Sequence, residues 1–124
     1  MNRGPLRLEE YLKHILIAID RIQKYCHDMN EVNFLSSQIT QDAVIRNFEI
    51  IGEASKNIER VATSEFLAAH SDLPLAFAYD MRNVLTHGYY KVDLEVVWKT
   101  IESDLPNLKT QIEEALRDFK SPSP

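Results

Sequence analysis

The sequence predicts an all-α fold, an antiparallel four-helix bundle with one short extra helix. Three observations predict it. Apolar residues recur at three- and four-residue steps over long segments, the signature of helices with one buried stripe. Only three glycines and five prolines punctuate 124 residues. No stretch of useful length alternates apolar and polar residues as a half-buried strand would.

The first helix is expected from Leu6 to Cys26, with Leu8, Leu12, Ile15, Ile19, Ile22 and Cys26 on its stripe and Glu9, Glu10 and Lys13 on the wet side. A polar stretch from His27 to Thr40 follows, with Val32, Phe34 and Leu35 docking it on the bundle. The second helix is expected after Thr40 as N-cap, with Asp42 favoured in the first turn by the helix dipole. Its stripe is Val44, Phe48, Ile51, Ala54, Ile58 and Val61. Gly52 lies mid-helix at a cost of about 1 kcal/mol relative to alanine, which fits a close helix or subunit contact or a tolerated defect. A helical turn from Ser64 to Ala69 leads to Asp72-Leu73-Pro74, a helix start with proline in the first turn. The third long helix runs from there to Thr86 or His87, and Gly88 turns the chain out of it. Asp93 caps the fourth, whose stripe is Leu94, Trp98, Ile101, Leu105, Leu108, Ile112, Ala115 and Phe119. That rhythm crosses Pro106 without a change of phase. It therefore reads as one helix kinked near Glu102, with a clean break at Asp104 as the alternative.

Bulk properties bound the function. The length fits one domain, residues 1–120, followed by a disordered tail, residues 121–124. Apolar residues make up 44% and charged residues 27%, an ordinary soluble balance. No run approaches the roughly 18 apolar residues of a membrane span, and the N-terminus lacks a signal-peptide pattern. Cys26 is the one cysteine, which fits a reducing, cytoplasmic setting. A net charge of −5 argues against a broad nucleic-acid-coating surface but leaves room for a local anion site. His14, His27, His70 and His87 are scattered without a metal-ligand spacing, and no cofactor is expected.

The chemistry concentrates in Arg82-Asn83-Val84-Leu85-Thr86-His87-Gly88-Tyr89. Arginine offers a fixed fork of donors to a phosphate, and histidine exchanges a proton near neutral pH. Together they suffice to break an RNA phosphodiester without a metal, because the 2′-hydroxyl is the nucleophile. His87 would move the protons and Arg82 would neutralise charge on the phosphoryl oxygens. Asn83, four residues before His87, is placed to fix its tautomer, and Asp80, seven before it, lies on nearly the same line. Arg82 lies about 140° around a regular helix from His87, so one straight helix does not aim both at one phosphate. Either the helix unwinds at His87, helped by Gly88, or two chains face each other across a composite site; a dimer is favoured, with both effects contributing. Arginine and histidine also stabilise helix C-termini without any catalytic role. Glu49 and Glu53, four apart, are either a carboxylate pair or a solvated face, with the solvated face favoured.

Longer segments add a resemblance. Arg82-x4-His87-x-Tyr89 resembles the R-x(4-6)-H-x-Y motif of HepT toxins, minimal members of the HEPN ribonuclease superfamily. Ala43–Ala54 resembles the family's second helix, Met81–Tyr89 its motif helix, and Val92–Trp98 with Asp104-Leu105-Pro106 the helix after it. The similarity extends from about Leu6 to Leu116. It implies a HEPN fold, a homodimer with the motif helices meeting in a cleft, and a metal-independent RNA endonuclease. That enzyme would be the toxin of a type VII toxin–antitoxin system, in a larger hetero-oligomer with its antitoxin at most. Arg82 and His87 match the catalytic pair and Asn83 the polar residue that commonly follows the arginine. Tyr89 matches the tyrosine to which the antitoxin, an MntA nucleotidyltransferase, transfers AMP from ATP; the spacing favours it over Tyr90. Leu75–Asp80 departs from the family's frequent tryptophan-bearing version. The competing expectation is a non-catalytic helical subunit that holds nucleotide or scaffolds a nucleotidyltransferase.

Overall fold

The computed structural model describes residues 4–75 and 93–120. The chain is all-α, and among the described residues there is no strand. In order these residues form α1 (Gly4–Tyr25), α2 (Glu31–Leu35), α3 (Gln38–Val61), α4 (Ser64–Ala69), α5 (Leu94–Lys99), a π-helical segment (Thr100–Asp104) and α6 (Leu105–Lys120). The expected third long helix lies outside the described residues beyond Leu75, which is itself helical.

The periodic stripe of α1 is its buried face: Leu8, Leu12, Ile15, Ile19 and Ile22 are buried, joined by Ala18 and, just past the helix end, by Cys26. Each such aliphatic side chain stabilises the fold by about 1.5–3 kcal/mol. Among the described elements the most extensive packing is between α1 and α3, whose stripe Val44, Phe48, Ile51, Ala54 and Ile58 is buried in turn. Gly52 is buried as well, together with Asn47 and Ser55, two polar residues that the apolar periodicity did not place inside. Lys109 ties α6 to α1 through Asp20, at 3.2 Å, and Gln23, at 3.4 Å.

Two expectations are corrected between α1 and α3. The N-cap is Ser37, not Thr40: its side chain accepts from the Thr40 backbone N–H and donates to Thr40 Oγ1 at 2.9 Å. The helix therefore begins at Gln38, and Asp42 lies beyond the first turn, which carries no acidic residue. The docking of Val32, Phe34 and Leu35 reduces to Phe34. Asn30 and Asn33 form a reciprocal capping box that winds this stretch into α2, and a single helical turn presents only one of the three inward. Phe34 is fully buried against Trp98, with ring centroids 5.3 Å apart, while Val32 is 71% exposed and Leu35 is exposed too. Gln41 closes the joint by donating to the Phe34 and Leu35 carbonyls.

The extra helix α4 occupies the expected residues, capped by Thr63. His70, at its C-terminus, stacks on Phe66 and bonds Asp118 of α6 at 2.5 Å. Asp93 is the cap foreseen, accepting from the Glu95 and Val96 N–H groups at 3.0 and 3.3 Å. The chain stays helical through Pro106. Between Thr100 and Asp104 it widens into a π turn in which the Leu105 N–H donates to the Thr100 carbonyl, five residues back. A proline clashes with the carbonyl four residues before it, here that of Glu102, and the wide turn makes room. The periodic positions hold on both sides: Trp98, Ile101, Leu105, Leu108, Ile112 and Ala115 are buried.

Candidate functional site

Asp80, Arg82, Asn83, His87 and Tyr89, the residues singled out for chemistry, all lie outside the described residues. The described chain ends at Leu75 before them and resumes at Asp93 after them. On the entry side Leu75 is buried in the core, and the preceding turn is pinned by the Leu73 N–H on the His70 carbonyl at 3.0 Å. On the exit side the Asp93 cap starts α5, whose Val97 and Trp98 are buried.

Concave features are found among the described residues. A cleft of about 330 Å³ lies between α1 and α3, lined by Tyr11, His14, Arg46, Glu49, Ile50, Glu53, Ala54 and Asn57. The Tyr11 and His14 rings meet edge to face at 6.2 Å. Glu49 and Glu53 therefore share a cleft with a cation and an imidazole, and neither is without an interaction partner. Glu53 is exposed and Glu49 half-buried, in keeping with the solvated face favoured from the sequence. His14 and Arg46 went unnoticed in the sequence because their partners come from different helices; within α3, Arg46, Glu49, Ile50 and Glu53 do follow three- and four-residue spacing.

The second is a cavity of about 170 Å³ where α3, the turn before Leu75, the π segment and α6 meet. Its buried side is formed by Phe48, Ile51, Leu105 and Leu108, with Thr100 as a buried polar residue beside them. Asp72, Asp104 and Asn107 stand exposed around it. Gln111 also lines it, and its buried Oε1 has no hydrogen-bond partner among the described residues. Among the described residues no group of three or more His, Cys, Asp or Glu side chains is arranged to hold a metal ion. No described helix is long and apolar enough to cross a membrane. Burial pushes the Cys26 thiol above its ordinary pKa, which keeps it protonated and unreactive at neutral pH.

Comparison with known proteins decides the family. The model of the family described as "Ribonuclease HepT-like" matches residues 15–115. The chain belongs to the HepT-like ribonuclease family. A "Probable ribonuclease HepT" of Thermococcus cleftensis is 41% identical over 105 residues, covering 85% of this chain and 92% of that protein. A "Gamma-glutamylcyclotransferase and putative RNase" of Methanocaldococcus jannaschii is 41% identical over 102 residues. That match covers 82% of this chain but only 44% of the longer relative. A "Putative RNase" of Caldanaerobacter subterraneus subsp. tengcongensis is 33% identical over 110 residues, covering 89% and 95% of the two chains. No solved structure matches the chain. The HepT-like segments noted in the sequence from Ala43 through Pro106 all fall inside the matched span.

Proposed function

We propose that this HepT-like chain is a metal-independent endoribonuclease toxin that works as a homodimer. The observation that carries the reading is the family match, which spans the whole Arg82-Asn83-x3-His87-x-Tyr89 string with each motif residue present. The substrate brings its own nucleophile. A neutral His87 takes the proton of a ribose 2′-hydroxyl as its oxygen attacks phosphorus. The bond from phosphorus to the 5′-oxygen breaks, and that oxygen leaves with a proton from an imidazolium His87. The products are a 2′,3′-cyclic phosphate and a 5′-hydroxyl. Arg82 neutralises charge building on the phosphoryl oxygens. Asn83 orients the His87 ring, and Asp80 supports the same line. No step calls for a metal.

The reading extends to control of the toxin. An MntA-like nucleotidyltransferase antitoxin transfers AMP to Tyr89: its phenolic oxygen attacks the α-phosphorus of ATP, pyrophosphate leaves and the phenolic proton is lost. Added negative charge two residues from His87 then competes with substrate phosphate for Arg82.

Expression of the wild type is expected to arrest growth, and Arg82→Ala or His87→Ala to relieve it, with purified RNA cleavage falling at least about a hundredfold. Arrest and cleavage that persist in both variants would overturn the ribonuclease assignment in favour of a non-catalytic subunit. Intact mass after co-expression with an MntA-like nucleotidyltransferase should show an AMP residue that Tyr89→Phe abolishes. Modification that survives Tyr89→Phe would place it on another residue.

A further inference from the structure

We propose that one outer face of α1 is a tracking surface for single-stranded RNA, on which Arg7 and Arg21 hold phosphates and Tyr11 and Tyr25 stack bases. The proposal rests on the ribonuclease reading for its ligand and goes beyond it in naming a surface outside the motif string.

Spacing brings these residues together. Arg7, Tyr11, His14, Arg21 and Tyr25 stand four, three, seven and four residues apart within one continuous helix. At about 100° per residue, those steps keep all five within about 80° of one another. They extend about 27 Å along the axis, the length of about eight stacked nucleotides at about 3.4 Å each. Arg7, His14, Arg21 and Tyr25 are exposed, and Tyr11 is half-buried at the cleft that α1 shares with α3.

Charge sets this face apart. The chain carries a net charge of −5, yet α1 holds four lysines and arginines against three acidic residues. Two of those acids are already neutralised, Glu9 by Lys13 at 3.3 Å and Asp20 by Lys109 at 3.2 Å. Arg7, Arg21 and, across the cleft, Arg46 form no ion pair among the described residues. Helix stability does not account for Arg7. It lies in the first turn, which has no acidic residue, and there the helix dipole disfavours a cation. Glu10 borders the face, and Glu49 and Glu53 line the cleft beside Arg46. These carboxylates restrict phosphate to a few contacts along α1.

The aromatic residues choose among anions. Single-stranded nucleic acid is held by cations along its backbone and by rings under its bases. Tyr11 is braced edge to face on His14 at 6.2 Å, and Tyr25 is 41% exposed at the end of the helix. A duplex keeps its bases stacked inside and offers these rings nothing. An anionic lipid surface would use the arginines but leave Tyr11, in the cleft, without a role.

The test measures binding of a 2′-O-methyl oligoribonucleotide of about twelve nucleotides, which lacks the free 2′-hydroxyl and is not cut. Arg7→Gln and Arg21→Gln should each weaken binding about threefold and lower the slope of log affinity against log salt by about 0.7. Tyr25→Ala should weaken binding about tenfold and leave that slope unchanged. Arg117→Gln, at an exposed arginine of α6, should stay near wild type in both. Affinity that ignores the three α1 substitutions, or falls as far with Arg117→Gln, would overturn the surface. In that case cleavage that still requires Arg82 and His87 would leave the ribonuclease reading standing. Binding that depends on the α1 residues, in a protein that cuts no RNA, would overturn that reading alone. Phosphatidylserine vesicles that bind through the same arginines, while the oligonucleotide does not bind, would assign the face to a membrane and overturn the proposal.

Discussion

At the scale of single residues, caps and orphaned polar atoms carry most of the information that a hydrophobic pattern omits. Ser37 and Thr40 show how close alternatives can be. Both carry hydroxyls and both precede the Val44 stripe, so periodicity cannot choose between them. The choice falls on Ser37 because Gln41 is thereby placed to bond the end of α2, a tertiary fact absent from any local window. Asp93 was legible for the opposite reason, since nothing else near it competes for the role. Ser37→Ala is expected to cost about 1 kcal/mol, seen as a fall of roughly 3–6 °C in the unfolding midpoint. Thr40→Ala should cost less, because the Thr40 backbone N–H keeps its partner. Equal losses in thermal unfolding would show that both hydroxyls share the cap.

At the scale of elements, the long stripes were legible because burial on one face imposes a one-dimensional rhythm. The rhythm of Trp98, Ile101, Leu105, Leu108 and Ile112 ran through Pro106 unbroken, and the helix does the same. Its form there, a π turn, was not legible, since several backbone distortions accommodate a proline equally well. Neither was the helix at Glu31–Leu35, which is too short for periodicity and is set by Asn30 and Phe34. The cavity was hidden from the sequence for a related reason: its walls come from α3, the turn at Asp72 and α6, and only folding brings them together. Pro106 is exposed, so its replacement removes no buried packing. Pro106→Ala should therefore raise stability by about 1 kcal/mol. The helix-interior penalty of about 3 kcal/mol for proline is already largely absorbed by the wide turn, and the unfolded chain gains some entropy. A lowered midpoint in denaturant unfolding would mean that packing around Thr100, rather than the proline, holds the π turn open.

At the scale of the whole molecule, the proposed chemistry requires Arg82 and His87 to reach one phosphate, although a regular helix would point them about 140° apart. The string itself stands in the sequence; the geometry that would assemble it lies outside the described residues. A homodimer solves the problem if each site draws Arg82 from one chain and His87 from its partner across a two-fold axis. Complementation then separates the arrangements. Arg82→Ala chains retain His87, and His87→Ala chains retain Arg82, so each homodimer is inactive whichever arrangement holds. Unfolding the two variants together and refolding them in equal amounts places about half of the chains in mixed dimers. With a shared site, one of the two sites in each mixed dimer is whole and the other lacks both groups, so cleavage returns to about a quarter of the wild-type rate. With a site built inside one chain, no whole site forms and the mixture stays as inactive as its parents. Recovery near a quarter, measured by cleavage of a single-stranded RNA, would thus place the catalytic pair across the dimer. A mixture that remains dead, while mixed dimers are seen by native mass spectrometry, would return the problem to the helix end and to the turn at Gly88.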